Sequence, residues 1–377
     1  MRLKTLSNMR ISRGTRVLVR GDFDVAVKDG KIKDDFRLRA ILPTIQYIDK
    51  CGGRIRFMGH LGRPRGKRVP HMSLKPVAAH LSRTLKRRII FIDDPRAFDP
   101  EQDRSLDILF FENLRFFNGE EKNSLQFARR LARWSDIYLD DAFANAHRSH
   151  ASVDRIARLL PSAAGLRFAQ EVKVLSHLFR APRYPAVAVL GGAKLETKLP
   201  LIERFLKTGY DVLVGGALVN PVIPFINKRG ISKKSNSIRR IISNPRLHLP
   251  ADLCVALSAG SRPRIVQIGD IRRDEVNYDI GPATVKNFCT LIHRAKTIVW
   301  NGPLGFAERK EFAKGTVAVA RAITKSRAFS VVGGGDTVTL IAHYGVLKGF
   351  SHVSTGGGAM LEFLAGKKLP GVEALRQ

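Results

Sequence analysis

Cysteine is scarce in this chain of 377 residues, which contains only Cys51, Cys254 and Cys289. These residues are far apart and show no CxxC spacing, which argues against a disulfide framework or a zinc site and favours a reducing compartment. No run of about 18 apolar residues occurs, and the N-terminal residues lack the apolar segment of a signal peptide. We therefore expect a cytoplasmic protein that is neither secreted nor membrane-spanning.

Acidic residues are also few, because 33 Asp and Glu stand against 65 Lys and Arg, and the formal net charge is +32. Such a charge attracts anions, among them nucleotides, phosphorylated metabolites and nucleic acid. The basic residues are spread along the chain and are not grouped in one tail. A generally basic surface without a specific partner is therefore the simpler interpretation.

Two common phosphate-handling motifs are missing. The sequence contains no GxxxxGK[ST] loop, and it lacks the VAIK, HRD and DFG set of protein kinases. Any phosphate chemistry in this chain must therefore use a different scaffold.

Short apolar runs alternate with longer amphipathic stretches, which is typical of βα units around a mostly parallel sheet. We predict strands at 17–20, 55–59, 89–92, 108–111 and 137–140, and a second series at 186–191, 212–215, 297–300 and 329–332. The pattern over 125–135 predicts a helix with Leu125, Ala128 and Leu131 or Ala132 on one face. A chain of this length is expected to form about two domains.

The best candidate for a domain boundary follows a helical pattern at 168–178. That pattern ends at the segment 181–185, AlaProArgTyrPro, where two prolines flank a break. The stretch 221–246 is polar, basic and weakly patterned, and is either a loop or a shortened helical element. We expect an α/β fold of two Rossmann-like lobes, each a mostly parallel sheet flanked by helices, joined by a hinge helix.

Two glycine clusters directly follow apolar runs, SVVGGGDT at 330–337 and STGGGA at 354–359. Glycines after a strand allow a tight turn that directs backbone N–H groups at an anion, and a helix N-terminus adds a favourable dipole. Asp336 would then be a hard oxygen ligand for Mg²⁺. A single triplet would favour simple turns, but two in succession favour phosphate binding.

A third glycine site, LGGAKLETK at 190–198, carries Lys194 and Lys198. Because the two lysines are four residues apart, a helix opening after the glycines would project both ammonium groups from one face, where they could hold two phosphates. A solvated lysine face is an equally open alternative.

The first half places polar residues after predicted strands. In a parallel sheet the carboxyl ends of the strands share one edge, where ligands bind. Several guanidinium groups at that edge would hold carboxylate and phosphate. The residues concerned are Asp22 and Asp24 after the first strand, His60 and Arg63 after the second, Arg115 and Arg148 after later ones, and Arg37 in DDFRLR.

At these residues the chain resembles the phosphoglycerate kinase family along nearly its whole length. The segment 16–48, RVLVRGDFDVAVKDGKIKDDFRLRAILPTIQYI, is similar to the family's RVDFNVP signature and the helix that follows it. The segments FMGHLGRP, SLKPVAAHL, FFENLRFFNGEE, DDAFANAHRSHAS, LGGAK, VWNGPLGFAE, FAKGT, VVGGGDT and STGGGAMLEFLAGKKLPGV recur in the family's order.

The resemblance implies reversible phosphoryl transfer from 1,3-bisphosphoglycerate to ADP, giving 3-phosphoglycerate and MgATP, with closure of two lobes around a hinge. It implies a triose-binding lobe at 1–167, an interdomain helix at 168–181, a nucleotide lobe at 182–360 and a tail at 361–377 that returns to the first lobe. The implied triose residues are Asp22, Asp24, Arg37, His60, Arg63, Arg115 and Arg148. The implied nucleotide residues are Lys194, Lys198, Asn301, Glu308, Gly334, Gly335, Asp336 and Thr337, with Asp336 also on the metal.

Four residues are implied in the transfer itself. Arg37 and Lys194 would be the main cations on the transferring group, and Gly356 and Gly357 would present backbone N–H groups to it. The family implies a monomer with no membrane or specific nucleic-acid partner. The alternative is a catalytically weak relative that binds nucleic acid or another polyanion.

The chain departs from the family pattern at three places. Asp24 replaces the family's Asn beside an anionic substrate, where a second carboxylate should weaken binding. The family's AKVSDK reads AKLETK here, and GGGMAYTFLK reads GGALVNPV at 215–222. The last change affects the expected contacts of the nucleotide base.

Overall fold

Residues 3–99, 107–226 and 236–376 are described by a computed structural model, in which the chain divides into two units. The first comprises Met1–Lys173 together with Gly366–Gln377, and the second comprises Val174–Ala365. The assignment of one substrate to each unit stays a prediction.

The first unit contains one parallel sheet and one hairpin. Its strands are β1 (Arg16–Arg20), β2 (Val27–Lys28), β3 (Lys31–Ile32), β4 (Arg54–Met58), β5 (Ile89–Ile92), β6 (Ile108–Phe111), β7 (Ile137–Asp140) and β8 (Ser162–Ala164). Six of them form the sheet in the order β5-β6-β4-β1-β7-β8, with every pair parallel. The hairpin β2-β3 turns at Asp29 and Gly30, both with positive φ, as a two-residue turn of type I′ requires.

Helices flank this sheet. They are α1 (Phe36–Ala40), α2 (Leu42–Lys50), α3 (Lys75–Leu85), α4 (Asn118–Glu121), α5 (Leu125–Ala132) and α6 (Leu166–Arg180). Because both faces are covered, the central strand β1 buries Val17, Leu18 and Val19 completely.

Helix α5 corrects one prediction about its buried face. Phe127, Ala128 and Leu131 are buried, whereas Leu125 is 39% exposed. Ser124 caps the helix by accepting a hydrogen bond from the Phe127 N–H, so Leu125 is the first helical residue. The face is centred on Phe127 and its i+4 neighbour Leu131, and it does not pass through Leu125.

The second unit contains a six-stranded parallel sheet and a three-stranded antiparallel sheet. Its strands are β9 (Ala186–Leu190), β10 (Asp211–Val214), β11 (Leu247–His248), β12 (Asp252–Ala256), β13 (Arg264–Gln267), β14 (Val276–Ile280), β15 (Thr297–Asn301), β16 (Phe329–Gly333) and β17 (His352–Ser354). The parallel sheet has the order β11-β10-β9-β15-β16-β17, and the antiparallel sheet has the order β13-β12-β14.

The remaining helices are α7 (Leu195–Lys207), α8 (Ile223–Ile226), α9 (Asn236–Ile242), α10 (Pro282–Arg294), α11 (Lys314–Lys325), α12 (Gly335–His343), α13 (Gly357–Leu364) and α14 (Pro370–Ala374). Helices α8 and α9 fall in the weakly patterned stretch 221–246, of which residues 227–235 lie outside the described residues. No helix in the described part of the chain combines the length and apolar content needed to cross a bilayer.

The predicted α/β architecture of two lobes with mostly parallel sheets is confirmed, and all nine predicted strands are present with ends shifted by at most one residue. Helix α6 contains the predicted 168–178 pattern and continues from the first unit into the second. Residues Gly366–Gln377 group with the first unit, where the Gly371 N–H donates to the Ala146 carbonyl at 2.9 Å, whereas 361–365 group with the second.

Candidate active site

The polar residues predicted at the strand ends of the first unit lie after four adjacent strands, β6, β4, β1 and β7. These strands are parallel, so their carboxyl ends share one edge of the sheet. We call Asp22, Asp24, Arg37, His60, Arg63, Arg115 and Arg148 the arginine cluster.

An ion pair joins the loop after β1 to α1 within this cluster. The Arg37 Nη1 atom lies 3.1 Å from Asp22 Oδ1. Burial raises the pKa of the Asp22 carboxyl, while the Arg37 guanidinium opposes that shift, and Asp22 in turn raises the pKa of Arg37. Asp22 Oδ2 is buried and has no hydrogen-bond partner among the described residues, so it can accept a donor from a ligand.

The loop after β4 is held by the side chain of Asp24, whose Oδ1 accepts the Gly62 N–H at 2.9 Å. The buried His60 ring places Nε2 3.8 Å from Asp24 Oδ2. Burial and the neighbouring Arg115 charge hold the pKa of His60 well below its usual range, so this imidazole is neutral and the contact is not an ion pair.

Arg115 contacts the same loop, because its Nη1 donates a hydrogen bond to the Gly62 carbonyl at 2.7 Å. Its Nε lies 3.5 Å from Glu121 Oε1, and burial lowers the pKa of its guanidinium. Arg63, one residue beyond Gly62, is exposed. Arg148 is half-buried in the loop after β7, and within the described ranges its side chain forms no hydrogen bond or ion pair with the other cluster members.

The second unit brings together residues from three of the predicted nucleotide motifs. Lys198 is buried on α7, and its Nζ donates to the Asn301 Oδ1 at 2.6 Å and to the Asn301 carbonyl at 3.1 Å. Asn301 Nδ2 donates to the Gly333 carbonyl at 3.0 Å. Gly302 N–H donates to the Thr337 hydroxyl at 2.9 Å, so that buried side chain already has a partner. These contacts tie α7, β15 and α12 together.

The expectation that Lys194 and Lys198 share one helical face is wrong. Lys194 is the N-cap of α7 with an extended backbone, and it is exposed, whereas Lys198 points into the protein. The helix begins one residue later than that expectation required, so the i,i+4 geometry does not apply to this pair. Lys194 remains accessible to a ligand.

A glycine with a positive φ angle precedes helix α12. Gly334 has φ +104°, which a side chain rarely tolerates, and a Cβ there would lie 3.0 Å from Asn301 Nδ2. The turn starts α12 at Gly335 and leaves Asp336 exposed in its first turn. Asp336 and Glu308 line a single cavity of about 420 Å³, with Pro303, Leu340 and Tyr344 among its apolar walls.

In the second glycine cluster, the role predicted for Gly356 and Gly357 toward the transferring group stays a prediction. The Gly356 N–H donates to Ser354 Oγ at 3.0 Å, so it does not present a free donor in this structure. Gly357 begins α13 with φ +42° and a Cβ there would meet open space. The Ala359 N–H already donates to the Gly356 carbonyl at 2.8 Å, so the N–H groups of Gly357 and Gly358 are the ones in this turn that lack a backbone acceptor.

Three exposed apolar side chains of the second unit were not predicted from the sequence. Leu257, Val276 and Phe306 are 61%, 42% and 41% exposed, although each is large and apolar. The Phe306 N–H donates to the Tyr278 carbonyl at 2.7 Å, which places the loop carrying Glu308 beside β14. The apolar run LCVA in β12 and the alternation of VNYDI in β14 were the available signals for this sheet.

The described residues are suited to a metal ion that is coordinated partly by the protein and partly by a bound ligand. No group of three or more His, Cys, Asp or Glu in the described ranges could hold a metal by itself. One exposed carboxylate at a helix start, Asp336, suits Mg²⁺, which commonly binds through one or two carboxylates and substrate phosphates.

Burial lowers the pKa of Lys198 to about 8. The family resemblance implies that Lys198 contacts a nucleotide phosphate, and from that prediction we expect the KM for MgATP to rise as the pH increases through about 8, because the lysine then loses its positive charge. The free energy of unfolding should increase between this value and the unfolded pKa, since the unfolded state then binds more protons. Initial rates and thermal unfolding measured from pH 7 to 9.5 test both directions.

Lys198→Met is the matched variant, since it removes the charge but keeps a long side chain. It should show a raised KM for MgATP at pH 7, approach the KM of the parent well above pH 8, and lack the rise near pH 8. A variant that retained the parent's pH dependence of KM would show that another group titrates.

The comparisons with known proteins agree with this arrangement. The family model for phosphoglycerate kinase matches residues 6–367. The phosphoglycerate kinase of Rubrobacter xylanophilus is 42% identical over 380 residues, covering 96% of each chain, and that of Thermomicrobium roseum is 40% identical over the full length of both. The solved phosphoglycerate kinase of Coxiella burnetii superposes with a TM-score of 0.85, at 36% identity over 99% of each chain.

Nothing in these comparisons supports the alternative of a polyanion-binding relative with weak activity. Members of this family are glycolytic kinases that bind phosphoglycerate and ADP or ATP, generally with Mg²⁺. The chain belongs to the phosphoglycerate kinase family and is a phosphotransferase with a carboxyl group as acceptor.

Proposed function

We propose that the arginine cluster binds the triose substrate of this phosphoglycerate kinase. Arg37, Arg63, Arg115 and Arg148 supply guanidinium groups suited to carboxylate and phosphate oxygens. The unpartnered Oδ2 of Asp22 is an acceptor for the substrate hydroxyl. The neutral His60 can donate or accept one hydrogen bond without adding charge.

The nucleotide is assigned to the second unit. The cavity between Glu308 and Asp336 would take the ribose and phosphates, with Lys194 and Lys198 on phosphate oxygens and the N-terminus of α12 adding its dipole. Asn301 would act indirectly, by holding Lys198. Gly334, Gly335 and Thr337 would contribute backbone rather than side chains. The exposed Leu257, Val276 and Phe306 are suited to the flat face of a base.

Asp336 would hold Mg²⁺ together with the nucleotide phosphates. The bound ion supplies charge neutralisation for the phosphate oxygens during transfer. Within the chain, the exposed position of Asp336 leaves its carboxylate accessible to such an ion.

The observation that carries this proposal is the Arg37–Asp22 pair at one sheet edge together with the Asp336–Glu308 cavity in the other unit, on residues that the family resemblance singled out. Phosphoryl transfer needs little covalent help, so positioned cations are what such an enzyme must provide. A coupled assay with 3-phosphoglycerate and MgATP tests it, and absence of turnover at all substrate concentrations would refute it.

Closure of the two units around α6, implied by the family resemblance, stays a prediction. It would exclude water from the reactive acyl phosphate. Small-angle X-ray scattering with both substrates, compared with each alone, would reveal the expected decrease in the radius of gyration.

A cytoplasmic monomer is our expectation from the free cysteines and from the family. Light scattering would measure the mass.

Asp24→Asn should lower the KM for 3-phosphoglycerate about three- to tenfold. The amide oxygen can still accept the Gly62 N–H, so the loop is kept, while one negative charge near the anionic substrate is removed. Steady-state kinetics at 0.1 M salt measures the change.

Asp29→Asn is the control for Asp24→Asn. It removes the same charge at the exposed hairpin turn, where Asn tolerates the positive φ. An equal effect of both variants would assign the change to net charge, and no effect of Asp24→Asn would mean that this carboxylate does not oppose substrate binding.

A further inference from the structure

A second cavity, of about 480 Å³, lies in the first unit and shares no lining residue with the arginine cluster. It forms where the loop after β6, the loop after β5 and the start of α5 meet. Its volume is in the range of small-molecule sites. The proposal made from it does not depend on the assignment of substrates to the two units.

The floor of this cavity is aromatic. Phe116 and Phe127 are buried, with 6% and 9% exposure, and Phe117 is half-buried. The Phe117 and Phe127 ring centroids are 6.0 Å apart. Such ring faces favour a flat apolar group over a hydrated sugar or an inorganic ion.

The rim is positively charged. Lys122 and Arg130 are exposed, and no Asp or Glu is found among the described lining residues. The adjacent Glu121 is turned to Arg115, 3.5 Å away, and so does not neutralise this rim. The third cation, Arg96, is paired with Asp94 and lies 5.0 Å over the Phe117 ring. Its guanidinium group therefore forms part of the cavity wall, and its charge is already paired.

From the aromatic floor and the cationic rim we propose that this cavity binds a small planar aromatic anion, with its ring on the phenylalanines and its phosphate or carboxylate on Lys122 and Arg130. Neither part suffices alone, because exposed cations bind anions weakly in salt and a shallow aromatic floor binds neutral rings weakly. The ligand class is therefore one that carries both features in a single molecule.

Isothermal titration calorimetry with 1-naphthyl phosphate, at 0.15 M salt and saturating 3-phosphoglycerate, tests the proposal. We expect one site per chain, and inorganic phosphate and 1-naphthol should each bind at least about tenfold more weakly. Binding of the probe that is seen only when 3-phosphoglycerate is left out would place it in the arginine cluster and overturn the proposal.

Variants that each remove one positive charge on or near α5 give the matched control. Arg130→Gln and Lys122→Gln should each weaken binding of the probe about fivefold or more, while circular dichroism shows an unchanged fold. Arg129→Gln removes the same charge from α5, at an exposed position that does not line the cavity, and should leave the Kd unchanged. Equal losses in Arg129→Gln and Arg130→Gln would mean that bulk charge alone binds the probe.

Discussion

Arg37→Ala is expected to lower kcat about 10²-fold or more, a loss of about 2.7 kcal/mol of transition-state stabilisation. In the proposed mechanism this guanidinium offsets charge on the transferring phosphoryl group, and a side chain that acts in the transition state affects kcat rather than KM alone. Rates in both directions of the reaction, at saturating substrates, measure the effect.

The variant also leaves Asp22 buried without its cation. Removal of one partner from a buried ion pair destabilises a fold strongly, so unfolding must be measured alongside the kinetics. Arg37→Lys keeps the charge and should fold normally, yet it should remain at least about tenfold slower, because an ammonium group cannot reproduce the guanidinium geometry.

Arg39→Ala on the same helix is the control for Arg37. Arg39 is exposed and forms an i,i+4 pair with Asp35, so its removal should change the free energy of unfolding by less than about 1 kcal/mol and leave kcat unchanged. A well-folded Arg37→Ala enzyme with the kcat of the parent would refute the role assigned to Arg37.

Lys194→Ala should likewise reduce kcat about 10²-fold or more. Unlike Lys198, this lysine is exposed and has an N-cap position at the start of α7, so its ammonium group is available to phosphate. Loss of an exposed side chain should leave the folded state intact, which makes this the cleaner of the two tests. Single-turnover kinetics separates the chemical step from product release.

Lys207→Ala, at the exposed C-terminal end of the same helix, controls for the loss of one positive charge from α7. It should retain the kcat of the parent enzyme. If Lys194→Ala raised only the KM for MgATP, Lys194 would be a binding residue without a special role in the transition state.

The elements of this fold were accessible from local sequence because the parallel strands are buried on both faces. A strand such as β1 or β9 must then be a continuous apolar run, and such runs are visible in the sequence. The antiparallel strands β13 and β14 were not predicted because polar residues interrupt them and Ile265 and Val276 are exposed, whereas the buried run LCVA of β12 was a signal that was missed.

The sequence predicted which candidate site residues follow which strand. It did not predict which distant residues those side chains contact. Lys198 donates a hydrogen bond to Asn301, which is 103 positions away in the chain. Its ammonium group is therefore buried, although the local spacing had predicted that it lies beside that of Lys194. The Gly302–Thr337 hydrogen bond likewise joins distant segments.

By itself, the sequence determined the βα alternation, the positions of the glycine turns, the excess of positive charge and the motifs that define the family. Tertiary structure alone decided which polar groups are buried, which charges are paired and which N–H groups, such as that of Gly356, are already occupied. The reason is physical: backbone preference acts over a few residues, whereas burial and pairing depend on whichever distant segment packs against each side chain.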